Sequence, residues 1–184
     1  VIQIYELIVK YKDIFQIDND IILQVERIAR EKSSKDNLII ITPTLRDLYN
    51  ANIYVHKSNG QQYYVPLWHD EIYFEDKTKN NDLIVKCIPD IPDHISVDEN
   101  NNIHINVIHR TNLKDLFNKK SISYVHSDKN DKPIISLEIP VSSLYIRKQQ
   151  SIKFFKNGIP KINSKDMYSI NDKSDIIVHL ELEY

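Results

Sequence analysis

The chain has 184 residues, 41% of them hydrophobic and 27% charged, with a formal net charge of −2. That balance offers no general attraction to nucleic acid, and no stretch approaches the ~20 apolar residues that span a bilayer. The single cysteine, Cys87, excludes an internal disulfide and a Cys-x-x-Cys zinc pair, and two glycines are too few for a Gly-rich phosphate cradle.

Residues 1–36 read as a helical N-terminal segment. Ile4, Leu7, Ile8, Tyr11 and Ile14 follow helical spacing, and Asp18 can cap a second helix carrying Ile22, Val25 and Ile28. Glu6, Lys10, Lys12 and Asp13 interrupt any signal-peptide layout, so a cytoplasmic location is expected. The start at Val1 reads as a piece of a longer protein.

After Asn37 the period becomes two. Ile53 and Val55 alternate with Tyr54 and His56, and Ile103, Ile105 and Val107 with His104 and Asn106. Ile135, Leu137 and Ile139 alternate with Ser136 and Glu138, and Ile176, Val178, Leu180 and Leu182 with His179, Glu181 and Glu183. This pattern predicts half-buried strands of antiparallel sheets. Turn residues separate them at Ser58-Asn59-Gly60, Asn80-Asn81-Asp82, Asp98–Asn102, Ser127–Lys132 and Asn157-Gly158.

An internal repeat organises these strands. Leu45-Arg46-Asp47-Leu48-Tyr49-Asn50 reappears as Leu113-Lys114-Asp115-Leu116-Phe117-Asn118, and Asp82-Leu83-Ile84-Val85 as Asp175-Ile176-Ile177-Val178. The second pair is more widely offset, so the second copy is the longer. Two echoes in one order predict two tandem β-sandwich-like lobes, each with one short helix. Pro89 and Pro92 cannot donate ladder hydrogen bonds and mark the boundary. The predicted organisation is a helical segment over 1–36, a first, peptide-binding β lobe over 37–91 and a second β lobe over 92–184.

The order of these segments resembles the C-terminal region of DnaJ-family co-chaperones of the zinc-free subtype. Thr44–Ala51 resembles the opening of the family's first lobe, Asp82–Lys86 its closing strand, and Pro92–Asp98 the crossover. Asn112–Asn118 resembles the helical turn of the second lobe, Lys156–Pro160 the Gly-x-Gly-Met/Leu-Pro segment, and Ser174–Val178 the final Gly-Asp-Leu strand. The likeness covers residues 38–184. Ala51, Asn157 and Ser174 stand where the family commonly has Gly. No His-Pro-Asp tripeptide occurs, so the J domain is absent from this chain, and the dimerisation helix would follow Tyr184.

The resemblance implies a non-enzymatic module that holds unfolded or non-native protein for a DnaK-type chaperone. Extended apolar segments would add as a strand beside a shallow groove. The groove candidates are Ile53, Val55, Tyr63, Val65, Ile72 and Phe74. All six also suit an ordinary core, and the groove reading requires only that some stay exposed. His56 and Lys57 are the positive charges left on the strand that binds the acidic chaperone tail in the family. A homodimer is expected only of a longer chain. A structural or assembly scaffold that kept the two-lobe fold and binds one defined partner is the alternative.

No catalytic residue, metal set or cofactor is expected, nor a nucleic-acid or membrane partner. Trp68-His69-Asp70-Glu71 reads as a surface turn, because adjacent strand residues point to opposite faces. His104 and His109 differ in strand parity, and His94, His126 and His179 lack ligand-like companions in sequence. Arg147-Lys148, Lys153 and Lys156 interleave with Phe154 and Phe155, which reads as a solvated strand and turn beside the minor possibility of single-stranded nucleic acid.

Overall fold

The computed structural model describes residues 21, 24, 37–58, 60–75 and 82–183. The helical reading of residues 1–36 lies outside them, apart from Ile21 and Gln24, which are helical. The described elements are β1 (Asn37–Ile41), α1 (Leu45–Tyr49), β2 (Ile53–Ser58), β3 (Gln61–Pro66), β4 (Glu71–Phe74), β5 (Leu83–Cys87), β6 (Ile95–Val97), β7 (Ile103–Arg110), α2 (Leu113–Phe117), β8 (Ser121–Ser127), β9 (Pro133–Pro140), β10 (Gln149–Phe154) and β11 (Ile176–Glu183). The fold is mainly β and of the β-sandwich-like class that the alternation predicts, with two short α-helices from residue 37 onward among the described residues.

Both helices start at the repeated segment for a local reason. At α1 the Thr44 side chain accepts from the Asp47 backbone N–H at 3.3 Å, and Asp47 Oδ2 accepts from the Thr44 N–H at 2.9 Å. That reciprocal pair satisfies two donors that a helix start leaves unpaired. At α2 Asn112 Oδ1 accepts from the Asp115 N–H at 2.8 Å. Asn50 and Asn118 end the two helices at matching positions.

The chain forms two compact units. One comprises Val1–Ile40 and Glu71–Lys86, the other Ile41–Asp70 and Cys87–Tyr184. Residues 37–91, read above as the first lobe, therefore contribute to both. The first unit is described through a sheet in the order β1-β5-β4. Its alternation buries Ile72, Leu83 and Val85, while Leu38, Ile40 and Tyr73 are exposed.

The second unit holds a four-stranded sheet, order β10-β11-β7-β6, and two hairpins, β2-β3 and β8-β9. One face of the large sheet buries Ile95, Ile103, Ile105, Ile176, Val178, Leu180 and Leu182, each at most 3% exposed. The hairpin β8-β9 buries Ile122, Ile135, Leu137 and Ile139. One expectation changes here: β11 runs parallel to β7, with Ile176 opposite Ile103 and Glu183 opposite Arg110. A parallel pair needs a long crossover, and α2, β8-β9 and β10 supply it. Arg46 of α1 reaches the β8-β9 turn, pairing with Asp128 at 2.9 Å and donating to the Lys132 carbonyl at 2.8 Å.

Backbone geometry at the glycine-related positions is mixed. Ala51 takes a left-handed φ of 54°, which favours glycine. Near Asn157 the left-handed residue is Lys156, at φ 56°. At Gly158 a Cβ would stand 2.2 Å from Ser174 Oγ.

Candidate functional site

A strand pair with one apolar face and no covering layer has to expose hydrophobic surface. Hairpin β2-β3 does so. Ile53, Tyr54 and Val55 are 46%, 44% and 39% exposed, and Tyr64 is 50% exposed. Val55 stands opposite Tyr64, Ile53 opposite Pro66, and Lys57 opposite Gln62. Directly opposed residues share a face, so Ile53, Val55 and Tyr64 form one outward apolar stripe ending at Lys57. Among the described residues β3 is the only strand paired with β2. On the other strand, Tyr168 Oη donates to the Tyr64 carbonyl at 3.0 Å.

The four groove candidates on β2 and β3 lie on two different faces. Ile53 and Val55 lie on the outward face. Tyr63 and Val65 lie on the opposite face, with Tyr63 opposite His56 and Val65 opposite Tyr54, and both are buried as core. Ile72 and Phe74 belong to the other unit, where Ile72 is buried opposite Val85 and Phe74 is half-buried opposite Leu83. Tyr64 was missed, although strand parity in a hairpin closed at Gly60 is the signal that finds it. The pair His56 and Lys57 also splits: Lys57 is exposed on the apolar face, whereas His56 is half-buried with its ring 6.2 Å from that of Tyr63.

The Trp68–Glu71 segment turns as expected, but Trp68 and His69 are both buried. His69 Nε2 lies 2.9 Å from the Met167 carbonyl. Burial holds its pKa below the ordinary value, against the opposing pull of that carbonyl and Asp70. Cys87 is buried, and desolvation followed by the charge of Asp70 pushes its thiol up to about 11. Such a thiol stays protonated and unreactive at neutral pH.

Strand pairing also assembles a polar line that sequence parity alone did not bring together. Asp98, His104, His179 and Ser151 connect end to end on the solvent face of the large sheet. Asp98 Oδ2 is 3.2 Å from His104 Nε2, His104 Nδ1 is 3.0 Å from His179 Nε2, and His179 Nδ1 is 3.0 Å from Ser151 Oγ. His104 and His179 sit on the polar side of their own strands, which the sequence does show. Their meeting depends on the β7-β11 register, which it does not. Among the described residues no group of three or more His, Cys, Asp or Glu side chains could hold a metal ion. Nor is any helix among them long and apolar enough to cross a membrane.

No family model matches this chain, and no curated protein matches it significantly.

Proposed function

We propose that this chain is the substrate-binding region of a DnaJ-type co-chaperone. It holds extended apolar segments of non-native polypeptide against β2, in the cytoplasm, for a DnaK-type chaperone. The observation that carries this reading is the outward stripe of Ile53, Val55 and Tyr64 on a hairpin whose strand β2 pairs, among the described residues, with β3 alone. An exposed strand edge supplies backbone donors and acceptors that accept any sequence, and the apolar stripe selects hydrophobic side chains. The repeat contains its own contrast. In hairpin β8-β9 the corresponding outward positions are Ser121 and Ser123, both donating to Glu138. At these two positions the second hairpin is polar and hydrogen-bonded where the first is apolar, although Val125 further along β8 is 54% exposed.

The test is suppression of aggregation of a chemically denatured enzyme, with Ile53→Asp and Val55→Asp beside the wild type. Both positions are exposed, so both variants should fold with native circular dichroism. Burying a new carboxylate under a client strand costs more than ~1.4 kcal/mol, so peptide affinity should fall about tenfold or more. Suppression by wild type that both variants retain would remove the β2 face from the binding surface. A folded wild type that suppresses nothing at excess would instead favour a scaffold bound to one defined partner.

A further inference from the structure

The line Asp98–His104–His179–Ser151 runs from the β6-β7 turn, across β7 and β11, to β10. Its first member is rigid. Asp98 Oδ1 accepts from the backbone N–H of Asn100 at 2.9 Å and of Asn102 at 2.8 Å, and Asp98 Oδ2 accepts from Asn102 Nδ2 at 3.0 Å. Burial raises the Asp98 pKa, but the bonds from Asn102, His104 and Asn100 outweigh it and hold the carboxyl below its ordinary value.

An ionised carboxylate only accepts, so it fixes the direction of the first bond; the remaining directions are those of the tautomer in which both rings are uncharged. His104 must carry its proton on Nε2, to donate to Asp98. Its Nδ1 is then an acceptor when the ring is neutral. His179 must donate to it from Nε2, which leaves His179 Nδ1 as the acceptor facing Ser151 Oγ. In that tautomer the serine hydroxyl is the donor, and His179 Nδ1 accepts from it. The two rings lie within 7° of parallel with centroids 5.3 Å apart. For a 3.0 Å N···N contact, that separation places the rings end to end, with the N–H aimed along the line. Two imidazoles sharing a metal would instead turn both nitrogens toward a third point about 2 Å from each. The geometry is that of a proton line.

Ser151 and His179 border a depression of about 390 Å³ on the same sheet face, with Asn106, Ile108, Gln149 and Glu181. That is the lower part of the size range of small-molecule sites. Glu181 is neutralised by Lys148 at 3.0 Å. Asn106 stands opposite His179 in register and lines the same depression.

We propose that Ser151 is a nucleophile that hydrolyses small, uncharged carboxylic esters, with His179 as its general base and His104 and Asp98 as positioning residues. Ser151 Oγ attacks the ester carbonyl carbon as its proton passes to His179 Nδ1. The Asn106 amide donates to the oxyanion. The bond to the alkoxy oxygen then breaks, and His179 returns the proton to the leaving alcohol. Water next adds to the acyl carbon, giving a proton to His179, and the acyl–Oγ bond breaks with that proton returned to Ser151. Ester and water become carboxylic acid and alcohol, with no redox change. A nucleophile, a base and a base-orienting group in hydrogen-bonded series is the arrangement acyl transfer requires.

The experiment measures p-nitrophenyl acetate hydrolysis by the full chain and, separately, the mass adduct left by diisopropyl fluorophosphate. The wild type should hydrolyse the ester faster than an equal concentration of free imidazole, and the phosphoryl adduct should map to Ser151. Ser151→Ala should abolish both, and His179→Ala should lower kcat about 100-fold. Asp98→Asn should lower kcat about tenfold or more with KM unchanged, at a folded fraction equal to that of wild type by circular dichroism and by active-site titration. Hydrolysis retained in Ser151→Ala would show ordinary imidazole catalysis and overturn the proposal. So would an adduct elsewhere, or none, on the folded wild type.

Discussion

In the first helix–hairpin copy both leucines of the helix are buried, Leu45 at 3% and Leu48 at 2% exposure, while the outward face of β2-β3 is apolar and open. In the second copy only Leu116 of the helix is buried, Leu113 and Phe117 are 40% and 56% exposed, and the outward serines of β8 are bonded to Glu138. The repeated sequence thus produces the same local elements with different burial. Local signals such as the caps and the alternation travel with the motif. Which apolar side chains are covered depends on neighbours outside it, as when Arg46 of α1 ties to the second copy's turn.

The widest separation should come from paired truncations. Ile139→Ala in β9 and Leu48→Ala in α1 remove fully buried side chains and should each cost about 2–5 kcal/mol. Val55→Ala, on the open face, should stay within ~0.5 kcal/mol of wild type. Urea midpoints at unchanged m value measure both. A large loss at Val55 would mean that its face is part of the core.

Next comes the longer segment of the second copy. Gly158 and Ser174 are joined by backbone bonds, with the Gly158 N–H on the Ser174 carbonyl and the Ser174 N–H on the Ile159 carbonyl, both at 2.9 Å. Gly158→Ala should cost about 1–3 kcal/mol through overpacking. Adding Ser174→Gly should recover part of it, because two backbone oxygens still lie 3.0 Å from the new methyl. A double-mutant cycle reads the coupling.

A smaller effect of opposite sign is expected at the end of α1. Ala51 holds a left-handed φ, so Ala51→Gly should stabilise by about 0.5–1 kcal/mol, strain relief of ~1–2 kcal/mol exceeding the entropy added to the unfolded chain. A thermal midpoint that falls would show the strain to be absent.

The smallest tests the α1 cap by pH. Burial raises the Asp47 pKa, but bonds from Thr44 and Asn52 outweigh it and hold the carboxyl below its ordinary value of 3.8. A depressed carboxyl contributes stability above its unfolded pKa and loses it as pH falls through the folded one. The stability gap between wild type and Asp47→Asn should therefore be present at pH 7 and shrink below about pH 4. A gap independent of pH would assign the Asp47 contribution to packing.

By itself the sequence determined the local architecture. Period-two alternation placed the strands around Ile103, Ile135 and Ile176, and the Leu-basic-Asp-Leu-aromatic motif placed both helices, because faces and caps are set by residues a few positions apart. Two of the three residues of the proposed peptide face, Ile53 and Val55, were legible. Tyr63, Val65 and Ile72 were not separable from it, since an apolar strand residue reads alike whether it meets a core or a client. Tertiary structure alone decided that β11 runs parallel to β7, that β2 pairs with β3 alone among the described residues, and that Asp98, His104, Ser151 and His179 meet. Register across a sheet is set by the joint burial of many distant side chains, and no local spacing encodes which polar residues that burial leaves side by side.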